Sequence, residues 1–331
     1  MNITYRNYTD SDIDGIIRLW NGNSGWETNM DRSEFSLRFC SSPLGAPIMM
    51  LAIDNNEEEV VGVLCFLPIQ VTIGGTNAKA YRPFGAVFKE SFREKFGLGS
   101  FLTGKHPILQ LYNKGAELAL QGDAVLTYLI PDPRWIKIQK VMPFESRKFP
   151  LWSYALVHDA HFDFEPETRI ADILPADPAI DQLLEQTTTT KRCSITRNAA
   201  FYQWKINLMH GRYTLKAVYS GNQLIGVFTL LYKREEQQWI IGDLLCATDD
   251  DARTALKAAC FAAHQEYLQV KAEPGKRYKA AILATPAIEE KINALGFYRD
   301  DYDFTLAVHL LDGSFTKREV APENWNISAN D

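Results

Sequence analysis

At 331 residues the chain is long enough for two domains. It is 46% hydrophobic and 23% charged, which excludes a disordered chain, and its formal net charge of −6 argues against a dedicated nucleic-acid binder. The five cysteines (Cys40, Cys65, Cys193, Cys246, Cys260) are scattered without a C-x-x-C pair, so neither a disulfide framework nor a zinc ribbon is expected, and a reducing cytoplasm fits best.

Residues 3–8 read as a short strand, and Thr9-Asp10-Ser11-Asp12 caps a helix through Trp20 with Ile13, Ile16, Ile17 and Trp20 on one face. A second helix is expected over Asp31–Phe39, ended by Ser41-Ser42-Pro43. Ile48–Ile53 and Val60–Leu67 flank Asp54-Asn55-Asn56-Glu57 as a hairpin, and Ala78–Lys89 follows Gly74-Gly75 as a third strand. The longest apolar runs, Ala46–Ile53 and Val60–Ile69, are too short to cross a bilayer. The opening Met1-Asn2-Ile3-Thr4-Tyr5-Arg6 lacks a basic region followed by an apolar run, so no secretion or membrane insertion is expected. Residues 90–105 read as a loop. Pro107 starts a helix through Leu120, Ala124–Ile130 is a buried strand, Trp135–Met142 a short helix and Phe149–Val157 a strand.

The second half repeats the order. Tyr213–Tyr219 and Gln223–Tyr232 form a hairpin around Ser220-Gly221-Asn222, and Gln238–Cys246 is a third strand. Thr248 caps an alanine-rich helix to Leu268. Ala280–Ala284 is a strand, Ala287–Leu295 a helix closed by Gly296, and Asp303–Leu310 the last strand. The pairs Val61-Gly62-Val63 with Ile225-Gly226-Val227, and Met142-Pro143-Phe144 with Leu295-Gly296-Phe297, occupy matching places. Gly62 to Phe144 spans 82 positions and Gly226 to Phe297 spans 71, and loop 90–105 is the simplest place for the difference. The expected division is an N-terminal domain 1–165, a linker 166–186, a C-terminal domain 187–312 and a polar tail 313–331 that frays.

The opening Tyr5-Arg6-Asn7-Tyr8-Thr9-Asp10-Ser11-Asp12, the hairpin with Val60-Val61-Gly62-Val63, and the ending Lys291-Ile292-Asn293-Ala294-Leu295-Gly296-Phe297 resemble the GNAT acyltransferase superfamily. Thr196-Arg197-Asn198-Ala199-Ala200-Phe201-Tyr202-Gln203-Trp204-Lys205 resembles a segment in two-domain GNAT-like proteins of bacterial polysaccharide gene clusters. The resemblance implies an α/β (α+β) fold of two tandem GNAT-like domains, each a mixed, mainly antiparallel sheet flanked by helices. It implies an acyl-CoA-dependent N-acyltransferase that passes an acetyl or short acyl group from acetyl-CoA, or another acyl-CoA, to an amine of a small molecule or sugar. The donor would lie in a V-shaped opening between the central strands. Its pyrophosphate would lie on backbone amides at a helix N-terminus, where unpaired N–H groups favour an anion.

Two segments of the first half match the family's glycine loop in part. Arg93-Glu94-Lys95-Phe96-Gly97-Leu98-Gly99-Ser100 has the glycine spacing, although its basic residue is one position early. Gly104-Lys105-His106-Pro107 has the helix position. Both stay open as donor-binding candidates, alongside the reading of a surface loop with solvated charges. Glu90 is the candidate general base and Tyr128 the candidate acid for the leaving thiolate. The family's usual tyrosine before Gly-Phe is missing from both halves. In the second half Cys246-Ala247-Thr248 runs into Asp249-Asp250-Asp251, which repel a phosphate, so that domain reads as structural or substrate-binding. Arg197, Tyr202 and Trp204 are candidates for lining a substrate cleft. His158 and His161 would face opposite sides of a strand, and no metal site is expected. There is no Gly-x-Ser-x-Gly elbow. Two alternatives are a non-catalytic GNAT-like ligand- or partner-binding protein and a tRNA-dependent aminoacyltransferase of peptidoglycan synthesis. The long helical arm of that transferase has no counterpart here.

Overall fold

The structure, a computed structural model, describes residues 2–24, 29–131, 141–187, 193–208, 212–271, 273 and 275–329. The chain divides into two compact units. The first comprises 1–71, 77–146 and 306–322, and the second 72–76, 147–305 and 323–331. Among the described residues no helix is long and apolar enough to cross a membrane.

In the first unit β1 (Ile3–Asn7), β2 (Ile48–Asp54), β3 (Glu59–Ile73), β4 (Thr76–Phe88) and β5 (Ala124–Leu129) lie side by side in that order. The end of β13 (Tyr298–Leu310) completes the row, with Ala307–Leu310 antiparallel to Leu126–Leu129. Helices cover both faces, so β2 is apolar from Ile48 to Ile53. Met49 and Leu51 point to α1 (Ile13–Asn23), where they pack with Ile16, Leu19, Trp20, Phe35 and Phe39. Ile48, Met50 and Ala52 point the other way and pack with Ile108, Leu111 and Tyr112 of α5 (Pro107–Gln121). The α2 helix (Arg32–Phe35), capped by the Asp31 carboxylate, supplies Phe35. Residues 90–105 are not a loop throughout. They carry α3 (Glu90–Arg93) and α4 (Leu98–Leu102), because Phe92 and Phe96 pack on Phe88 and His106 and hold the turns in place. The helix expected over Trp135–Met142 lies almost wholly outside the described residues.

The second unit has the start of β13, then β6 (Glu145–Ala155), β12 (Lys279–Leu283), β11 (Gln238–Cys246), β10 (Gln223–Lys233), β9 (Tyr213–Ser220) and β7 (Thr168–Asp172). Residues 166–186, read as a linker, form β7, which pairs with β9, and α6 (Ala179–Gln186), which buries Ile180 and Leu183 at helical spacing. Next come β8 (Cys193–Ile195), α7 (Ala199–Leu208), α8 (Asp249–Gln269) and α9 (Pro286–Ala294). The Thr248–Asp251 capping box starts α8 as the sequence suggested. Its buried alanines, Ala255, Ala258, Ala259, Ala262 and Ala263, let it approach Phe228, Trp239 and Ile282 closely. The polar tail is also corrected: Val320, Trp325 and Ile327 are buried, and Trp325–Asn326 form a short strand, β14.

Gly115 fixes the seat of α5 against β3. A Cβ there would lie 2.1 Å from the Phe66 ring. Helix propensity alone would reward Gly115→Ala by about 1 kcal/mol. Overpacking a filled site costs about 1–3 kcal/mol and should win here. Chemical denaturation should therefore find Gly115→Ala less stable than the parent chain; a gain in stability would show that Phe66 moves away freely.

Candidate functional site

The first unit opens between two parallel strands. β4 and β5 pair at Lys79↔Ala124, Ala80↔Leu126 and Tyr81↔Thr127, and there the ladder ends although β4 runs on to Phe88. The next residues on β4 suit a strand that has lost its neighbour. Pro83 brings no N–H to a ladder, and Gly85 takes φ +62, which favours glycine. On the other arm Tyr128 is the first residue past the last pair. It is buried, and it faces Val308 in the β13 register. Beside it, buried Thr127 lies in a polar contact chain. The Tyr112 hydroxyl is 2.7 Å from Thr127 Oγ1 and 2.8 Å from His309 Nδ1. Burial pushes the Tyr112 phenol well up, and burial together with the Lys317 charge pulls the His309 imidazolium down.

The segment from β4 to α5 carries the other candidates. Lys89 pairs with Glu59 at the end of the strand. Glu90, the candidate base, begins α3 with its side chain 74% exposed, and the Arg93 guanidinium lies 3.8 Å from its carboxylate. Lys95 and Lys105 are exposed. Gly97 caps α4, and Ser100 Oγ donates to its carbonyl at 2.7 Å. A Cβ on Gly97, Gly99 or Gly104 would meet nothing within 4 Å, so this backbone is open to an approaching ligand.

The structure separates the two glycine segments. Gly97-Leu98-Gly99-Ser100 starts the short α4, and Gly104-Lys105-His106 leads directly into α5. The amides at the start of α5 are already engaged. Pro107 has none, the Ile108 N–H donates to His106 Nδ1 at 3.3 Å, and the Leu109 and Gln110 N–H groups donate to the His106 carbonyl. His106 stacks on Phe101 with ring centres 3.7 Å apart, and burial pulls its pKa down to about 4. Near neutrality the ring is therefore an uncharged acceptor. The exposed cations of this segment, Arg93, Lys95 and Lys105, stand beside an open glycine backbone and give it a local positive charge.

The second unit repeats the opening with a different lining. β11 and β12 pair from Gln238↔Lys279 to Ile241↔Ile282 and then part. The β10 register places Asp243 and Leu244 of β11 opposite the single residue Phe228, a β-bulge, and Asp243 takes φ +47. Its carboxylate is fully buried. Lys205 Nζ donates to it at 2.7 Å, Arg197 Nε lies at 3.5 Å, and the Thr229 hydroxyl donates at 2.9 Å. Burial opposes ionisation of Asp243, but Lys205 and Arg197 outweigh it and hold the carboxyl below its ordinary range. Tyr202 donates its hydroxyl to the Asp243 carbonyl. Arg197 and Tyr202 are thus partners of Asp243, because an acid in the core must be paired. Arg197 also lines a cavity of about 80 Å³ with Cys246, Thr248 and Asp249. Trp204, on α7, lies beside Phe201 with ring centres 6.2 Å apart. Asp243 escaped the sequence reading, although an acid inside the run Trp239-Ile240-Ile241-Gly242-Asp243-Leu244-Leu245 was the available signal. Among the described residues no cluster of three His, Cys, Asp or Glu side chains is placed to hold a metal ion.

Comparison with solved structures identifies the architecture. A conserved protein of Enterococcus faecalis V583, described as a probable N-acyltransferase, is 10% identical with a TM-score of 0.66, over 94% of this chain and 73% of that one. A GCN5-related N-acetyltransferase of Anabaena variabilis is 12% identical with a TM-score of 0.64, over 94% and 73%. A tandem GNAT protein from the clavulanic acid biosynthesis pathway is 14% identical with a TM-score of 0.57, over 95% of this chain and all of that one. No family model matches the chain, and no curated protein sequence does. The chain has the tandem-domain GNAT fold, a mixed α/β architecture.

Two measurements test the local chemistry. His106 has its folded pKa below the ordinary value of 6.5, so its contribution to stability is complete above about pH 6.5 and is lost as pH falls through about 4. His106→Asn keeps a capping acceptor without the titration. The difference in unfolding free energy between parent and variant should therefore change across that window; a constant difference would rule out the depressed pKa. Asp243→Asn leaves Lys205 and Arg197 buried beside a neutral amide and should cost about 3–5 kcal/mol in chemical denaturation. A loss of only a few tenths would mean that the two cations are solvated.

Proposed function

We propose that the protein is an acyl-CoA-dependent N-acyltransferase. Its first unit takes acetyl-CoA or another short acyl-CoA between β4 and β5 and passes the acyl group to an amine of a small molecule or sugar. The observation that carries this reading is the parting of β4 and β5 after three residue pairs, in a fold that supports acyl transfer. An extended thioester arm fits such a gap, because the main-chain groups on its two arms no longer satisfy each other.

The reaction needs no covalent intermediate on the protein. The amine nitrogen attacks the thioester carbonyl, the C–S bond breaks, and the thiolate leaves. Glu90 accepts the ammonium proton directly or through water, which its solvent-facing position allows. Tyr128, at the apex of the opening, donates to the thiolate. The diphosphate is met by Arg93, Lys95 and Lys105 beside the backbone of Gly97, Leu98, Gly99, Ser100 and Gly104. Since the first amides of α5 are engaged, binding depends on exposed cations and weakens with salt.

A non-catalytic ligand-binding role is the second reading. It is supported by the contrast between the two candidate groups, since Glu90 stands in solvent beside Arg93 while Tyr128 lies in the core. Thermal shift with acetyl-CoA tests donor binding. The melting temperature should rise saturably, by the equivalent of about 2.7 kcal/mol at one hundred times the dissociation constant. The rise should shrink in Arg93→Ala, in Lys105→Ala and at high salt. No rise at millimolar acetyl-CoA would sink the proposal; a rise without amine acylation would select the binding role.

A further inference from the structure

The opening of the second unit is bridged by a distant part of the chain. Past Ile241↔Ile282, β11 and β12 no longer pair, and the bulge at Asp243 bends β11. Residues 325–329 lie at this gap. Trp325 and Asn326 pair in parallel with Cys193 and Ser194 of β8. The Asp243 N–H, on the β11 arm, donates to Ser328 Oγ at 3.1 Å. The Thr285 hydroxyl, just past the β12 arm, donates to Asn326 Oδ1 at 3.4 Å. Two residues of one short segment therefore reach both arms. Asn326 also lines the cavity that runs to Thr248 and Asp249 at the start of α8.

Burial alternates over Trp325, Asn326 and Ile327, and Ser328 is buried as well. Trp325 and Ile327 are 1% and 2% exposed, and Ala329 packs with the cluster of Leu151, Ile240 and Ala281. The Asp243 amide explains why the gap needs an occupant. It is buried, its residue is bulged out of register, and without an acceptor it would stand as an unpaired buried donor.

We propose that the opening of the second unit is a groove for an extended peptide and that its resident occupant is the chain's own segment 325–328. The segment is added to β8 as a parallel strand and anchored by Trp325 and Ile327. Diphosphate is a poor alternative occupant, since the cavity ends on Asp249 and the capped start of α8. The inference does not depend on acyl transfer in the first unit.

Residue-resolved hydrogen exchange tests it in three samples: the full chain, a chain ending at Pro322, and that shorter chain mixed with a synthetic peptide of residues 322–331. Removal of the segment should speed exchange at Gly242–Cys246 and Cys193–Ile195 about tenfold or more. Val63–Leu67 of the first unit should not change. The peptide should restore protection, and a peptide carrying Trp325→Ala should not. In the full chain Ser328→Ala, which keeps the packing, should speed exchange at Asp243 alone. Unchanged exchange at Asp243 in Ser328→Ala, or in a folded shorter chain, would overturn the proposal, as would failure of the peptide to protect. If the shorter chain does not fold, Ser328→Ala decides.

Discussion

The Trp20 indole lies so close to Gly85 that a Cβ on the glycine would be 2.3 Å from the ring. The course of β4 past its last pair with β5 depends on that contact. Trp20 is buried on α1 with Phe39 and Phe84 around it, so the ring has little room to move. Gly85 meets it with φ +62, four residues past the last β4–β5 pair. A β-branched or bulky residue could adopt neither the angle nor the approach. The helix on one face of the sheet thereby holds β4 in a shape that does not follow β5. The parting of the two strands is thus tied to core packing around Trp20.

The second unit reaches a similar opening by another route. Its kink is Asp243, a charged residue in a left-handed conformation, and the charge is held by Lys205, Arg197 and Thr229. One unit uses an apolar ring against a glycine; the other uses a buried ionic cluster. The linings differ in the same sense. The first unit presents Arg93, Lys95 and Lys105 near an open glycine backbone, whereas the second presents Asp249 and a capping box in which Asp251 already satisfies the main chain. An anion is favoured by the first lining and opposed by the second. The two units share the parting of a parallel strand pair and differ in what lines it.

Much of this was legible in the sequence. The spacing of Ile13, Ile16 and Trp20, the turn at Gly74-Gly75, and Thr248 ahead of the alanine-rich run all placed elements correctly, because caps, turns and periodicity act within a few residues. The excess length between β4 and α5 pointed to the segment that flanks the opening. Other features escaped because they are made by distant residues. The α3 and α4 turns exist through Phe92, Phe96 and His106 packing together, and β7 exists through its register with β9. Trp325 and Ile327 in a polar stretch were a signal of burial, but only the distant β8 gives them a partner. Gly85 was one glycine among twenty, with nothing local to mark the Trp20 ring against it.

The most direct test of the central claim is a hydrogen-exchange footprint of the full chain with and without saturating acetyl-CoA. Bound acetyl-CoA should slow exchange in two stretches of the first unit, Arg82–Phe88 of β4 and Gly97–His106, with no change over Gly242–Thr248 of the second. Protection confined to Gly242–Thr248, or no protection in either stretch of the first unit, would contradict it.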